Sequence, residues 1–226
     1  EGSLRPLKVI LGDGSVVTAI RPAAMRVWMT VPMTVVDTVF KAMSRAIPEK
    51  TIAGHFADLV SGYVNGINPK DGRLFIGGMG GPMGGGWGAK LTEDGMSATV
   101  CQNDGDTHNG PCEQTEVKFP LMIRRHELRQ DSGGAGKFRG GLGALKEVEP
   151  RCPITVGTQM ERVNCPPWGL NGGVAGEAGT KTLKKPGEDR FTDVDLSRHA
   201  VPPNSEVQIH AGSGGGWGDP LEREPE

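Results

Sequence analysis

The sequence predicts an α+β fold dominated by short strands. One helical periodicity stands near residues 33–47, five short apolar runs bounded by Gly or Pro follow it, and Gly and Pro supply 36 and 17 of the 226 residues. Such punctuation also occurs in disordered chains. Here the net charge is only −2 and Val, Ile, Leu and Met recur in runs between the glycines. The chain therefore reads as folded and loop-rich, with glycines at tight turns and close backbone approaches.

Taken in order, Leu7–Leu11 (LKVIL), the Gly12-Asp13-Gly14 turn and the alternating Ser15–Ile20 predict a hairpin that Pro22 closes. From Pro32 the period changes: Val35, Val36, Val39, Phe40, Met43 and Ile47 recur at three-and-four spacing until Pro48 stops them. Thr34 is the expected N-cap of this helix and Asp37 its weaker capping-box partner. Gly77–Gly88 (GGMGGPMGGGWG) is too Gly-rich for a helix or a regular strand, so it is expected to be a loop whose backbone comes close to something. It lacks the Lys-Ser/Thr of a P-loop, and no helical pattern follows to put a dipole behind its amides. Phe119–Leu128, Leu142–Val148, Thr155–Met160, Lys181–Leu183 and Glu206–Ala211 predict strands, with no helical pattern past Pro120. The expected division is residues 1–116, carrying the helix, and a β-rich unit over residues 117–226. The pentapeptide Gly84–Gly88 recurs as Gly214–Gly218, either as two Trp plugs in a β-rich core or as a shared ligand contact.

Near-neutral charge with no basic stripe argues against nucleic acid. No apolar run approaches the roughly 18 residues of a membrane helix. Cys101, Cys112, Cys152 and Cys165 are not at zinc-site intervals and fit free thiols in a reducing cytoplasm. With no initiator Met and no leader, the chain reads as a piece of something longer. Its 36% apolar content implies that a partner supplies some contacts.

The densest polar cluster is Cys101–Glu116 (CQNDGDTHNGPCEQTE). Asp106, His108, Asn109 and Glu113 could converge on a ligand from this one loop. His108 reads as a general base, a metal ligand or a structural hydrogen-bonding group; with no second His nearby it makes a poor catalytic metal site. Lys137 and Arg139 in GKFRGGLG could clamp a carboxylate or phosphate, or merely solvate a turn. Ser132 lacks the strand-turn-helix setting of a nucleophile elbow, and with Asp131 it reads as a cap of a tight Gly turn.

The stretch ELRQDSGGAGKFRGGLG (residues 127–143) resembles the signature of the hydantoinase B/oxoprolinase family. Four further pieces are similar to that family and collinear with it: Arg21-Pro22-Ala23-Ala24 with Val35-Val36-Asp37; GGWGA, Asp94-Gly95, Asn109, Pro111 and Glu113/Glu116; PPWGL with Gly172-Gly173; and the final GGGWGDPLEREPE. The resemblance implies the C-terminal half of a B-type subunit, residues 1–116 ending that subunit's central α+β region. It implies an ATP-dependent amidohydrolase that opens 5-oxoproline, hydantoins or lactams through a phosphorylated intermediate, with ATP and Mg on a hydantoinase A-type partner. It also implies a possible divalent metal in the N-terminal half of the subunit, outside this chain, so no metal ligand is carried over here. The alternatives within the same framework are an acetone- or acetophenone-type carboxylase subunit and a non-catalytic assembly subunit. Gln130 and Lys137 depart from the signature, and the loop before Pro111 is less His-rich than the family's, which leaves the substrate open. Without its partners the chain is expected to catalyse nothing.

Overall fold

The computed structural model describes residues 8–24, 30–102, 105 and 107–225. In chain order the elements are α1 (Thr30–Met43), β1 (Ser61–Ile67), β2 (Leu74–Gly78), α2 (Cys112–Lys118), β3 (Leu121–Leu128), β4 (Ala144–Pro150), β5 (Ile154–Gln159), β6 (Thr180–Lys184), β7 (Thr192–Asp193), β8 (His199–Val201) and β9 (Glu206–His210). They form two antiparallel sheets, β2-β1-β5-β8 and β3-β4-β9-β6-β7. The smaller sheet draws strands from both sides of residue 117, with Val64 of β1 opposite Val156 of β5. Val60, Val64, Val148, Val156, Leu183, Val207 and Ile209 belong to one apolar cluster contributed by both sheets.

The strand-dominated α+β class is as the sequence predicts, and each of the five expected strands is present. Three local expectations are corrected. The hairpin does not form among residues 8–20, where Ser15 and Thr18 close a local turn instead; a two-stranded ribbon without a third strand or a packing partner is marginal in water. The helix runs Thr30–Met43, and the Thr34 hydroxyl donates to the Thr30 carbonyl at 3.0 Å, within the helix rather than at its cap. A second helix, α2, starts after Pro111; with seven residues it is too short to show an apolar period.

β4 is buried along its whole length although it carries Lys146, Glu147 and Glu149. Buried charge is tolerated only when paired or hydrogen-bonded. Lys146 donates to the Met79 carbonyl at 3.0 Å, Gln208 donates to Glu147 at 2.7 Å, and Arg124 and Arg151 flank Glu149.

The glycine-rich segments meet beside the sheets, with residues 212–218 at the centre. The partners of residues 212–217 rotate with a period of three. Gly212 and Gly215 bond residues 54, 86 and 89; Ser213 and Gly216 bond 170, 174 and 177; Gly214 and Trp217 bond 134, 138 and 141. A chain with three residues per turn and no internal hydrogen bonds directs successive peptides in three directions in this way. The result is a lattice of main chains, and at its glycines it leaves no room for a side chain. A Cβ on Gly214 would overlap the Trp87 carbonyl, and one on Gly86 the Gly141 carbonyl. This is the close approach expected of Gly77–Gly88, and the two GGGWG copies are neighbours within it. Trp217 is fully buried, whereas Trp87 is half-buried and donates Nε1–H to the Val100 carbonyl at 2.9 Å.

Candidate functional site

His108, Asn109 and Glu113 lie exposed on one edge of the molecule, on the loop that enters α2 and on its first turn. The loop is held by the Gly110 amide donating to the Gly80 carbonyl at 3.1 Å; Gly80 and Gly81 have φ of 88° and 87°, which the bare backbone permits. Beneath lies Lys146, whose pKa burial pushes down, with the Cys112 thiol nearby acting in the other sense. Glu116 accepts the Ile123 amide at 2.8 Å, so the second glutamate of the E-x-x-E pair holds the start of β3. Asp106 lies outside the described residues.

Lys137 and Arg139 touch a different part of the fold. The Asp94 carboxylate accepts the Arg139 backbone amide at 2.8 Å and the two terminal guanidinium nitrogens of Arg223 at 2.8 and 2.9 Å. That bidentate bond from Arg223, first among several causes, holds the Asp94 carboxyl below its usual range. Lys137 Nζ stands 3.4 Å from Glu222 Oε2, so it faces a carboxylate of this same chain. Glu93, Asp94, Lys137, Phe138, Glu222 and Arg223 line a cavity of about 510 Å³. The structure thus gathers His108, Asn109 and Glu113 in one place and Lys137 with Arg139 in another. Ser132 is buried: its hydroxyl donates to the Arg129 carbonyl at 2.7 Å and accepts the Gly143 amide at 3.1 Å, the capping role its turn suggested.

A buried polar cluster beneath α1 escaped the sequence reading. Asp37, expected as a cap partner, is buried and forms an ion pair with Arg162; its other oxygen accepts the His55 amide at 3.3 Å. Burial raises the Asp37 pKa to about 6 against the opposing pull of Arg162. His55 accepts the Ala57 amide on Nδ1 at 2.8 Å, which places its proton on Nε2. Burial lowers its pKa to about 4. Asp58 accepts the Leu59 and Glu161 amides, each at 2.6 Å, while burial lifts its pKa to about 7. Trp168 has Lys41 and Arg162 over its ring at 4.4 and 4.7 Å. His55 Nε2, Arg162 Nε and Trp168 Nε1 are three of the four buried side-chain polar atoms without a partner among the described residues. These atoms are shut off from solvent, and the cluster fixes α1 to the glycine lattice. Partners 18 and 125 residues apart leave no local spacing from which to read it.

A model of the hydantoinase B/oxoprolinase family matches residues 1–220. The chain belongs to that family. Among family relatives, the caprolactamase subunit beta of Pseudomonas jessenii is 32% identical over 99% of this chain, and a 5-oxoprolinase of Pestalotiopsis fici is 29% identical over 97%. The chain spans 40% of the first and 17% of the second. Among solved structures, the ATP-dependent caprolactamase from Pseudomonas jessenii superposes on 99% of this chain and 40% of its own, with a TM-score of 0.83 at 28% identity. An acetone carboxylase in its nucleotide-free form shares the fold at a TM-score of 0.64 and 20% identity, over 81% of this chain and 28% of its own. The hydantoinase B/oxoprolinase signature at residues 127–143 is, in this structure, the part of the lattice that threads past Gly214 and Trp217.

Proposed function

We propose that this chain is one part of an ATP-dependent amidohydrolase of the hydantoinase/5-oxoprolinase type, which opens cyclic amides through a phosphorylated intermediate. The observation that carries this reading is the likeness over 99% of the chain to an ATP-dependent caprolactamase. An amide carbonyl is a poor electrophile; transferring a phosphoryl group to its oxygen lets ATP hydrolysis drive ring opening. ATP and Mg belong, in this reading, to a hydantoinase A-type partner, and any divalent metal to the part of the B-type subunit outside this chain.

The described residues of this chain fit neither group. The Gly84–Gly88 amides include several that donate to main-chain carbonyls of the lattice, and no three His, Cys, Asp or Glu side chains gather as a metal site among the described residues. What the chain offers is an exposed polar edge, with His108, Asn109 and Glu113 set to hydrogen-bond a substrate or move its proton, and Asp106 in the same loop. Lys137 and Arg139 sit at a separate anion-facing seam. Among the described residues no helix is long and apolar enough to cross a membrane, and a cytoplasmic setting suits ATP-driven chemistry.

The test is an assay of the assembled complex for ATP-dependent opening of 5-oxoproline, hydantoin and caprolactam, set against bicarbonate-dependent carboxylation of acetone and acetophenone. Amide opening is expected, and no turnover from this chain alone; carboxylation instead would overturn the reading. Replacing His108, Asn109 and Glu113 together with Ala is expected to lower kcat about a hundredfold with assembly intact. Unchanged turnover would remove these residues from the chemistry and leave the chain an assembly role.

A further inference from the structure

α1 is built inside out. Its buried positions are Met33 and the ion-paired Asp37, with Ser44 just beyond its end, while Val31, Val35, Val39 and Met43 recur every fourth residue on the side that faces outward. Val39 is 54% exposed and Val35 43%. A helix that is apolar around most of its circumference is ordinarily buried on all sides. This one carries only two charged residues between Thr30 and Met43: Asp37, which is buried, and Lys41, whose ammonium lies over Trp168. Thr34 and Thr38 donate their hydroxyls back into the helix, at 3.0 and 2.7 Å, so they ask little of water.

The patch continues beyond the helix. Val16, Val17 and Ile20 are exposed and line, with Val31 and Val35, a cavity of about 1100 Å³ that reaches the end of β5. Half of the exposed large apolar side chains among the described residues fall between Val9 and Met43. Monomers seldom leave a contiguous apolar area of this kind in water.

We infer that this face of α1, with the segment around Val16–Ile20, is the seat of the portion of a hydantoinase B-type subunit that lies outside this chain. This inference rests on the family reading above. The chain covers 40% of the caprolactamase subunit beta, so more than half of such a subunit remains to be packed somewhere. The outward stripe of α1 is uncharged, as a permanent interface core is, and the charged groups of the adjoining cavity, Glu161, Lys181 and Asp195, lie on the β-sheet side as a polar rim. The polar cluster under α1 completes the design: Asp37 and Arg162 anchor the helix from below, leaving its apolar side for the occupant.

The test places a photo-crosslinking amino acid at Val39, and at Val117 of α2 as an exposed control, in the assembled complex. The Val39 adduct is expected to fall on the rest of the B-type subunit, and Val117 to give no such adduct. Cross-linking of Val39 to a second copy of this chain, to the ATP-binding partner, or to nothing in a complex that has assembled would overturn the assignment. Val35→Glu with Val39→Glu is expected to weaken assembly at least about thirtyfold, with the isolated chain's circular dichroism unchanged, whereas Val117→Glu leaves assembly intact. Both readouts are independent of turnover. A complex that shows the Val39 adduct yet opens no cyclic amide would sink the amidohydrolase reading and leave this surface standing.

Discussion

Under α1, two residues carry pH dependence of opposite sign. His55 has its folded pKa depressed to about 4 by burial, so the unfolded chain takes up a proton near pH 6.5 that the folded chain refuses. The stability it permits is present above about pH 6.5 and is lost as pH falls toward 4. His55→Asn keeps an acceptor for the Ala57 amide and removes that titration, so urea midpoints should show the variant losing about 1–3 kcal/mol less than wild type between pH 6.5 and 4. Asp37 runs the other way: burial raises its folded pKa to about 6, so its favourable contribution is present at low pH and is lost as pH climbs from 3.8 through 6. Arg162→Met strands this carboxylate, a loss expected to cost about 3–5 kcal/mol near neutrality. The penalty should shrink at pH 5, where the lone carboxyl can take a proton; an equal loss at pH 5 and 7.5 would show that the ion pair is not what holds α1. None of this was legible in the sequence. Asp37 looked like a capping partner because it follows Thr34 by three, and nothing local marks Arg162 as its true partner.

Among the elements, legibility followed side-chain patterning. β5 (ITVGTQ) alternates buried and half-buried positions, and the sequence showed it; β1 (SGYVNGI) carries two glycines and one Asn, and its alternation is too dilute to see. The period of α1 was legible as helical, but nothing in it showed that its valine stripe faces away from this chain's core. Periodicity reports that a face is apolar, not what covers it. The glycine lattice was half legible: the sequence announced a close backbone approach but not its threefold order, because the five segments involved are joined only in space. Gly214→Ala should cost about 3 kcal/mol or more, since the added methyl meets the Trp87 carbonyl rather than a movable side chain. Gly12→Ala, where an added methyl meets nothing within 4 Å, should be silent by thermal melting. The contrast separates lattice glycines from turn glycines.

For the whole molecule, one cluster of buried side chains runs from Val60 to Ala211 and includes both sheets. Unfolding should therefore be a single transition, with tryptophan fluorescence, to which Trp87, Trp168 and Trp217 contribute together with Trp28, coinciding with far-ultraviolet circular dichroism. Two separate transitions would mean that the sheets hold independently. The family was legible in the sequence because its motifs are backbone motifs, requiring Gly wherever main chains cross. The candidate site was legible only as a polar loop, since His108, Asn109 and Glu113 owe their setting to Gly80 and to Lys146 on a distant strand. The lattice also has a history within each molecule. Residues 212–218, its hub, are the last of its segments in chain order, and they bond residues as remote as Gly54 and Gly86. As the polypeptide leaves the ribosome at roughly 5–20 residues per second, the other segments emerge first and wait with open amides. Closing such long loops is slow, so the hub acts as a late-arriving bolt.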